Sequence, residues 1–284
     1  MLGSELARQL AAAGLGFVPT GSETDIGDYA KVEQFASGRR FDWIINCAAY
    51  TAVDKAEDEP ETARRTNCDG AANLAGIAAQ HNAALVHVST DYVFDGTAAA
   101  PIAESAAKRP IGVYGRTKSD GEDAITAKLA EHYILRTAWL YGTHGKNFVR
   151  TMLRLMQEKP QLRVVSDQYG TPTNCATLAG CIVRIVLAGK GGAPYGIYHV
   201  TDEGMASWYE FALEIQRQGI AAGLIAGNCA VSPCSTAEYP VRAQRPAYSV
   251  LDKGKIQSAL GIQLPQWQDS LAEFISELAH RSSK

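Results

Sequence analysis

The side chains best placed to do chemistry lie within residues 85–118. Tyr114 and Lys118 are spaced i, i+4, so on a helix both project from one face and can reach a shared ligand. A phenol titrates near pH ~10 and is a poor acid at neutrality, but a nearby ammonium stabilises the phenolate and lowers that value. Such a tyrosine can give a proton to a carbonyl oxygen while something else attacks the carbon. Upstream, the apolar run Leu85-Val86-His87-Val88 breaks at Ser89-Thr90-Asp91. A hydroxyl from Ser89 or Thr90 could hydrogen-bond the same oxygen as charge develops on it. With twelve tyrosines in the chain, the Tyr-Lys spacing alone most often marks a surface helix. The Ser-Thr-Asp at a strand end is what lifts this instance above that outcome.

Positioning these groups requires a strand that ends at residue 88 and a helix that starts at residue 114. A short β-branched and apolar run reads as a buried parallel strand, and in open α/β sheets ligands gather beyond the carboxyl ends of such strands. The rest of the chain supplies a matching alternation. Helices are expected over residues 1–13, stopped by Gly14, and over 28–37, 60–80 and 114–130; strands are expected over 17–20, 41–49, 85–88 and 133–136. After Gly145 come a helix over 148–157, a strand over 162–165 and a polar loop over 167–173. An apolar helix over 175–187, a strand over 196–200, a helix opened by Ser207 and a last helix over 267–280 follow. Repeated β-α units favour an α/β fold with a parallel, doubly wound sheet. The expected division is a dinucleotide-binding domain over 1–145, rejoined by about 174–202, and a smaller C-terminal substrate-binding lobe over 146–173 and 203–284.

Composition narrows the function. The chain has 284 residues, 46% of them hydrophobic and 20% charged, as in an ordinary soluble protein with ample core. A formal net charge of -3 with scattered basic residues gives no electrostatic case for nucleic acid. The six cysteines form no CxxC pair, which points to reduced thiols in a cytoplasmic protein and away from zinc. No apolar run approaches the roughly 20 residues of a membrane span, and an acid, Glu5, stands early in the chain, so neither a membrane nor a leader peptide is expected.

Four ordered motifs carry a resemblance over nearly the whole chain: residues 46–57 (Asn46-Cys47-Ala48-Ala49 onward), 90–94, the Tyr114–Lys118 pair, and 167–173. Together they resemble the dTDP-4-dehydrorhamnose reductases, a family of extended short-chain dehydrogenase/reductases with a Rossmann-type sheet. The resemblance implies reduction of the C4 carbonyl of dTDP-4-dehydro-L-rhamnose by NADPH or NADH, in dTDP-rhamnose biosynthesis. It makes Tyr114 the proton donor, Lys118 the residue that lowers its pKa and binds the nicotinamide ribose, and Thr90 a hydroxyl that tunes Tyr114. Asp91 and Trp139 would contact the sugar nucleotide along with Thr90, and Arg245 its diphosphate. Leu2 and Gly3 would face the cofactor phosphates, Asp28 and Tyr29 the adenine, and Cys47, Ala48 and Ala49 the cofactor cleft.

The chain departs from the family at its start. Family members open with an apolar strand and a Gly-rich turn, whereas here Met1 stands where that turn is nearly complete and only Gly3 remains. A lost phosphate-binding turn would lower cofactor affinity, and the expectation from sequence is a truncated polypeptide of reduced stability or activity. Thr20 stands where an acid often binds the ribose 2′-OH, which leaves NADPH open. Some members bind Mg²⁺ through acids at a homodimer contact, and Glu5 is the candidate here. Two rivals share the scaffold: a nucleotide-sugar epimerase or dehydratase, and a non-enzymatic regulatory subunit.

Overall fold

The computed structural model describes residues 1–239 and 241–282. In chain order it contains α1 (Leu2–Ala12), α2 (Tyr29–Ala36), β1 (Trp43–Asn46), α3 (Val53–Ala56), α4 (Pro60–Arg64), a π-turn (Arg65–Asp69), α5 (Gly70–Gln80) and β2 (Ala84–Thr90). Then follow α6 (Val113–Lys128), β3 (His132–Thr137), β4 (Leu140–Tyr141), α7 (Phe148–Glu158), β5 (Gln161–Val165), β6 (Tyr169–Gly170) and β7 (Thr173–Asn174). The chain continues with α8 (Cys175–Ala188), β8 (Gly196–His199), β9 (Ala206–Ser207), α9 (Trp208–Ala221), β10 (Ala230–Cys234), α10 (Gly254–Leu260) and α11 (Trp267–Ser282).

Among the described residues the central sheet runs β1-β2-β3-β8, all parallel. Alternation along β2 sends Leu85 to one face and Val86 to the other. Val86 packs with Leu2, Leu6 and Leu10 of α1 and with Leu178 and Ile182 of α8. Leu85 packs with Ile77 of α5 and Ile125 of α6. Helices therefore cover both faces, which is the doubly wound α/β arrangement expected. A separate core joins α7, α9, α11 and β5 through Val149, Leu153, Phe211, Ile215 and Phe274. No described helix is long and apolar enough to cross a membrane.

Three local expectations change. Residues 17–20 form no strand, and Phe17 and Val18 are exposed, at 40% and 64%. A strand needs a neighbour for its N–H and C=O groups, and β1 pairs with β2 alone among the described strands. The helix expected over 60–80 is broken at the π-turn, where Asn67 turns inward; single-turn π-bulges often sit at functional sites. Finally, β10, which pairs with β5, and α10, whose Ile256 packs on the sheet core, carry too few periodic apolar residues to be seen in sequence.

Candidate active site

Helix α6 presents Tyr114, Lys118 and Glu122 one turn apart. It can lie close to the end of β2 because two of its residues lack side chains. A Cβ at Gly115 would come 2.1 Å from the Tyr92 carbonyl oxygen, and one at Gly121 2.2 Å from that of Asn67. Glycine costs helix stability, roughly 1 kcal/mol at each position; here close packing requires it. Asn67 fastens the other side: it accepts the Tyr50 N–H at 2.9 Å and donates to the Tyr50 carbonyl at 3.1 Å and to Thr117 Oγ1 at 3.1 Å. The loop after β1 is thus tied to α6.

The structure brings Thr90, Asp91, Tyr114 and Lys118 together. The Tyr114 ring meets Tyr92 edge-on, with centroids 5.5 Å apart. Burial pushes the Tyr114 phenol up to about 12, opposed by its hydrogen bond with Thr90 and reinforced by the Asp91 carboxylate. The Lys118 Nζ donates to the Val88 carbonyl at 2.6 Å and lies 3.1 Å from His87 Nε2. Thr90 donates to Asp91 Oδ1 at 2.9 Å, whereas Asp91 Oδ2 is buried with no hydrogen-bond partner among the described residues. Such an orphaned oxygen is costly unless a ligand satisfies it. The two hydroxyl candidates separate: Ser89 donates to Glu122 Oε1 at 2.6 Å, behind the site, so Thr90 alone serves Tyr114.

Burial raises Asp91 from 3.8 to about 6. The folded state therefore holds this proton more tightly than the unfolded chain, and the stability it contributes is present below pH ~4 and lost as pH rises through ~6. Asp91→Asn is expected to flatten the fall in unfolding free energy between those pH values and to gain up to about 3 kcal/mol at pH 7. Urea titrations at a series of pH values check this; a variant as pH-dependent as wild type contradicts it.

Trp139 adopts a left-handed φ of 46°, rare for a bulky residue. Its indole stacks on Trp208 with centroids 3.6 Å apart and planes 9° from parallel. Gly170 lies against that indole, so close that a Cβ there would come 2.6 Å from it. Arg245 is held by Asp54, whose carboxylate accepts its Nη2 at 2.8 Å and the Ala243 N–H at 3.2 Å.

The cofactor candidates occupy varied places. Gly3 faces Cys47, a Cβ on it being 3.8 Å from the Cys47 Cβ, so the start of α1 abuts the loop that leaves β1. No side chain caps α1, which leaves its first N–H groups for an anion. The Leu2 side chain is in the core at 6% exposure, and only its backbone can serve a ligand. Burial lifts the Cys47 thiol to about 12; Ala48 is exposed and Ala49 half-buried. These small groups and uncapped amides fit a nicotinamide nucleotide laid across the sheet end. Asp28 caps α2, accepting the Lys31 N–H at 3.3 Å, and the Tyr29 hydroxyl accepts from Gln80 at 2.8 Å; both stand at the N-terminus of α2. Glu5 is committed to Arg8 and Gln9, at 2.6 and 2.7 Å, and no group of three or more His, Cys, Asp or Glu able to hold a metal ion occurs among the described residues.

Sequence reading missed Glu122, although it continues the Tyr114, Lys118 spacing by one more turn. Its carboxylate forms a two-pronged pair with Arg136 of β3, at 2.7 and 2.9 Å, with side chains 1% and 2% exposed. It also missed His87, which reads in sequence as one more member of an apolar strand.

Comparison with known proteins gives the family. A family model described as the RmlD substrate binding domain matches residues 1–280. A dTDP-4-dehydrorhamnose reductase of Aggregatibacter actinomycetemcomitans is 42% identical over 253 residues, covering 88% of this chain and 86% of its own. The crystal structure of such a reductase from Clostridium acetobutylicum superposes with a TM-score of 0.90 at 41% identity, covering 98% of this chain and 95% of that one. The Bacillus anthracis enzyme, solved in complex with NADP, gives a TM-score of 0.90 at 36% identity, covering 97% and 95%. The chain belongs to the dTDP-4-dehydrorhamnose reductase family.

Proposed function

We propose that this chain reduces the C4 carbonyl of dTDP-4-dehydro-L-rhamnose to dTDP-L-rhamnose. The observation that carries the reading is the convergence of Thr90, Tyr114 and the unpartnered Asp91 Oδ2 beyond the end of one strand. NADPH or NADH, when bound, supplies the hydride to the carbonyl carbon. Tyr114 donates its phenolic proton to the C4 oxygen, and the Thr90 hydroxyl then turns from Asp91 to donate to the phenolate that results. Lys118 holds the nicotinamide ribose and adds positive charge beside that phenolate. The backbone amides at Leu2 and Gly3 take the pyrophosphate, Cys47 to Ala49 line the cleft, and Asp28 and Tyr29 border the adenine side. Asp91 accepts a sugar hydroxyl, Trp139 walls the sugar, and Arg245 exchanges Asp54 for the diphosphate. The dinucleotide half comprises residues 1–145 with 174–202, and the reaction belongs in the cytoplasm, where nucleotide sugars are made.

Purified protein given that sugar nucleotide and NADPH should show a fall in nicotinamide absorbance with equimolar product. An epimerase or dehydratase on this scaffold would return its hydride and show no net consumption, and that result defeats the proposal. The Trp139 wall has its own check. Gly170→Ala pushes a methyl into the indole, an overpacking worth about 1–3 kcal/mol, so KM for the sugar nucleotide should rise by roughly tenfold while the Kd of NADPH holds. An unchanged KM would remove Trp139 from the substrate site.

A further inference from the structure

Behind the proposed proton donor, Lys118 ends in a chain of buried polar groups that catalysis as described does not use. Asn46 closes β1 and His87 is its register partner on β2; they are 4% and 1% exposed. The Ala48 N–H donates to Asn46 Oδ1 at 3.0 Å, which orients the amide. Its Nδ2 then faces His87 Nδ1 at 3.0 Å and donates to it. Nδ1 being the acceptor, the neutral ring carries its single proton on Nε2. Burial alone holds the ring well below its usual range and a charged Lys118 would push it lower still, so no second proton is bound in either state of the lysine. The Nε2–H points at Lys118 Nζ, 3.1 Å away. Two donors cannot satisfy one contact, so Nζ must offer a lone pair there. That contact is satisfied by Lys118 as a neutral amine, accepting from His87 and donating to the Val88 carbonyl.

We propose that His87 is a positioning residue that, through its fixed Nε2–H tautomer, favours the neutral amine of Lys118, so that in mildly alkaline solution the lysine stays uncharged until a nicotinamide ribose binds and this binding takes up one proton from solvent. The inference rests on the reading of Lys118 as the ribose ligand. Ribose hydroxyl oxygens accept better from an ammonium than from an amine. One proton from the buffer joins the Nζ lone pair, none is released, and the His87 contact is given up. The groups facing Lys118 agree with this balance. His87 comes from β2, and Tyr114 and Glu122 share its own helix face. Glu122 is already neutralised by Arg136 of β3 and lies near Lys108, at 3.5 Å. From the π-turn packed behind α6 comes Asn67 on Thr117, while the charged Arg65 and Asp69 of that turn are paired with Asp25 and Arg64 on its exposed side. Burial takes Lys118 down to about 8, with Glu122 opposing.

The test is calorimetry of NADPH binding at pH ~8.5 in two buffers of different ionisation enthalpy, where the cofactor's 2′-phosphate stays fully ionised. Wild type should take up about half a proton or more per site there and close to none at pH ~6.5. His87→Gln, whose amide oxygen can accept from an ammonium, should lose at least half of that uptake and move the alkaline limb of kcat/KM up by about one pH unit. No uptake by wild type at the higher pH overturns the proposal, and so does a His87→Gln protein that binds protons and titrates as wild type does. Lys118→Met separates the two layers of the reading. If that variant binds NADPH and turns over normally, the ribose assignment itself fails; if it loses both while His87→Gln changes nothing, only the role of His87 fails.

Discussion

Tyr114→Phe should lower kcat by about 10²–10⁴-fold, the usual weight of a positioned general acid, equivalent to roughly 3–5 kcal/mol of barrier. The size of the effect follows from the absence of a substitute. Thr90 commits its hydrogen to Asp91, Ser89 is turned to Glu122, and the Tyr92 phenol is itself driven up by burial. None of these neighbouring hydroxyls is free to supply the proton in its place. The ring of Phe would keep the edge-on contact with Tyr92, so the fold and the Kd of NADPH should change by no more than about twofold. Single-turnover mixing of variant, NADPH and sugar nucleotide isolates the chemical step. A variant that keeps a tenth of wild-type kcat would mean that solvent or another group protonates the C4 oxygen.

Glu122→Leu is expected to destabilise the protein by about 3–5 kcal/mol, because it strands a guanidinium that cannot shed its proton. Arg136 is fully buried, and besides Glu122 it meets the Glu104 carbonyl at 3.4 Å, His199 at 3.5 Å and the face of the Phe94 ring, 5.2 Å from its centroid, none of which carries a negative charge. Burial and that same guanidinium hold His199 down to about 3, so it brings no compensating negative charge. Ser89 would also lose its acceptor. Denaturant unfolding followed by circular dichroism measures the loss, and the double variant Glu122→Leu, Arg136→Met should regain most of it, since replacing both ions leaves no buried charge unmatched. A single variant within 1 kcal/mol of wild type, by the flag of an ordinary surface change, would show that water reaches the pair.

The two expectations rest on different kinds of legibility. The Tyr114–Lys118 spacing and the apolar run ending at Thr90 could be read directly, because helix and strand periods are local consequences of backbone geometry. The same logic located α2, β2, α6, β3, α7 and α8 to within a residue or two at most of their ends. It failed for residues 17–20, whose composition suits a strand but which lie beside no strand that could take their hydrogen bonds. It also failed at Asn67, where one inward amide widens a helix into a π-turn that no propensity marks.

What the sequence determined by itself was the alternation of elements, the face of α6 that carries the tyrosine and lysine, and, through four ordered motifs, the family. What only the tertiary structure decided was which polar groups meet. Ser89 or Thr90 were equal candidates until strand direction sent one to Glu122 and left the other beside Tyr114. Arg245 carried a free charge on paper and a bond to Asp54 in the fold. His87 looked like filler in an apolar strand until register placed Asn46 on one ring nitrogen and Lys118 on the other. Hydrogen bonds between residues 31 and 41 positions apart depend on how strands and helices are stacked, and no local periodicity encodes that stacking.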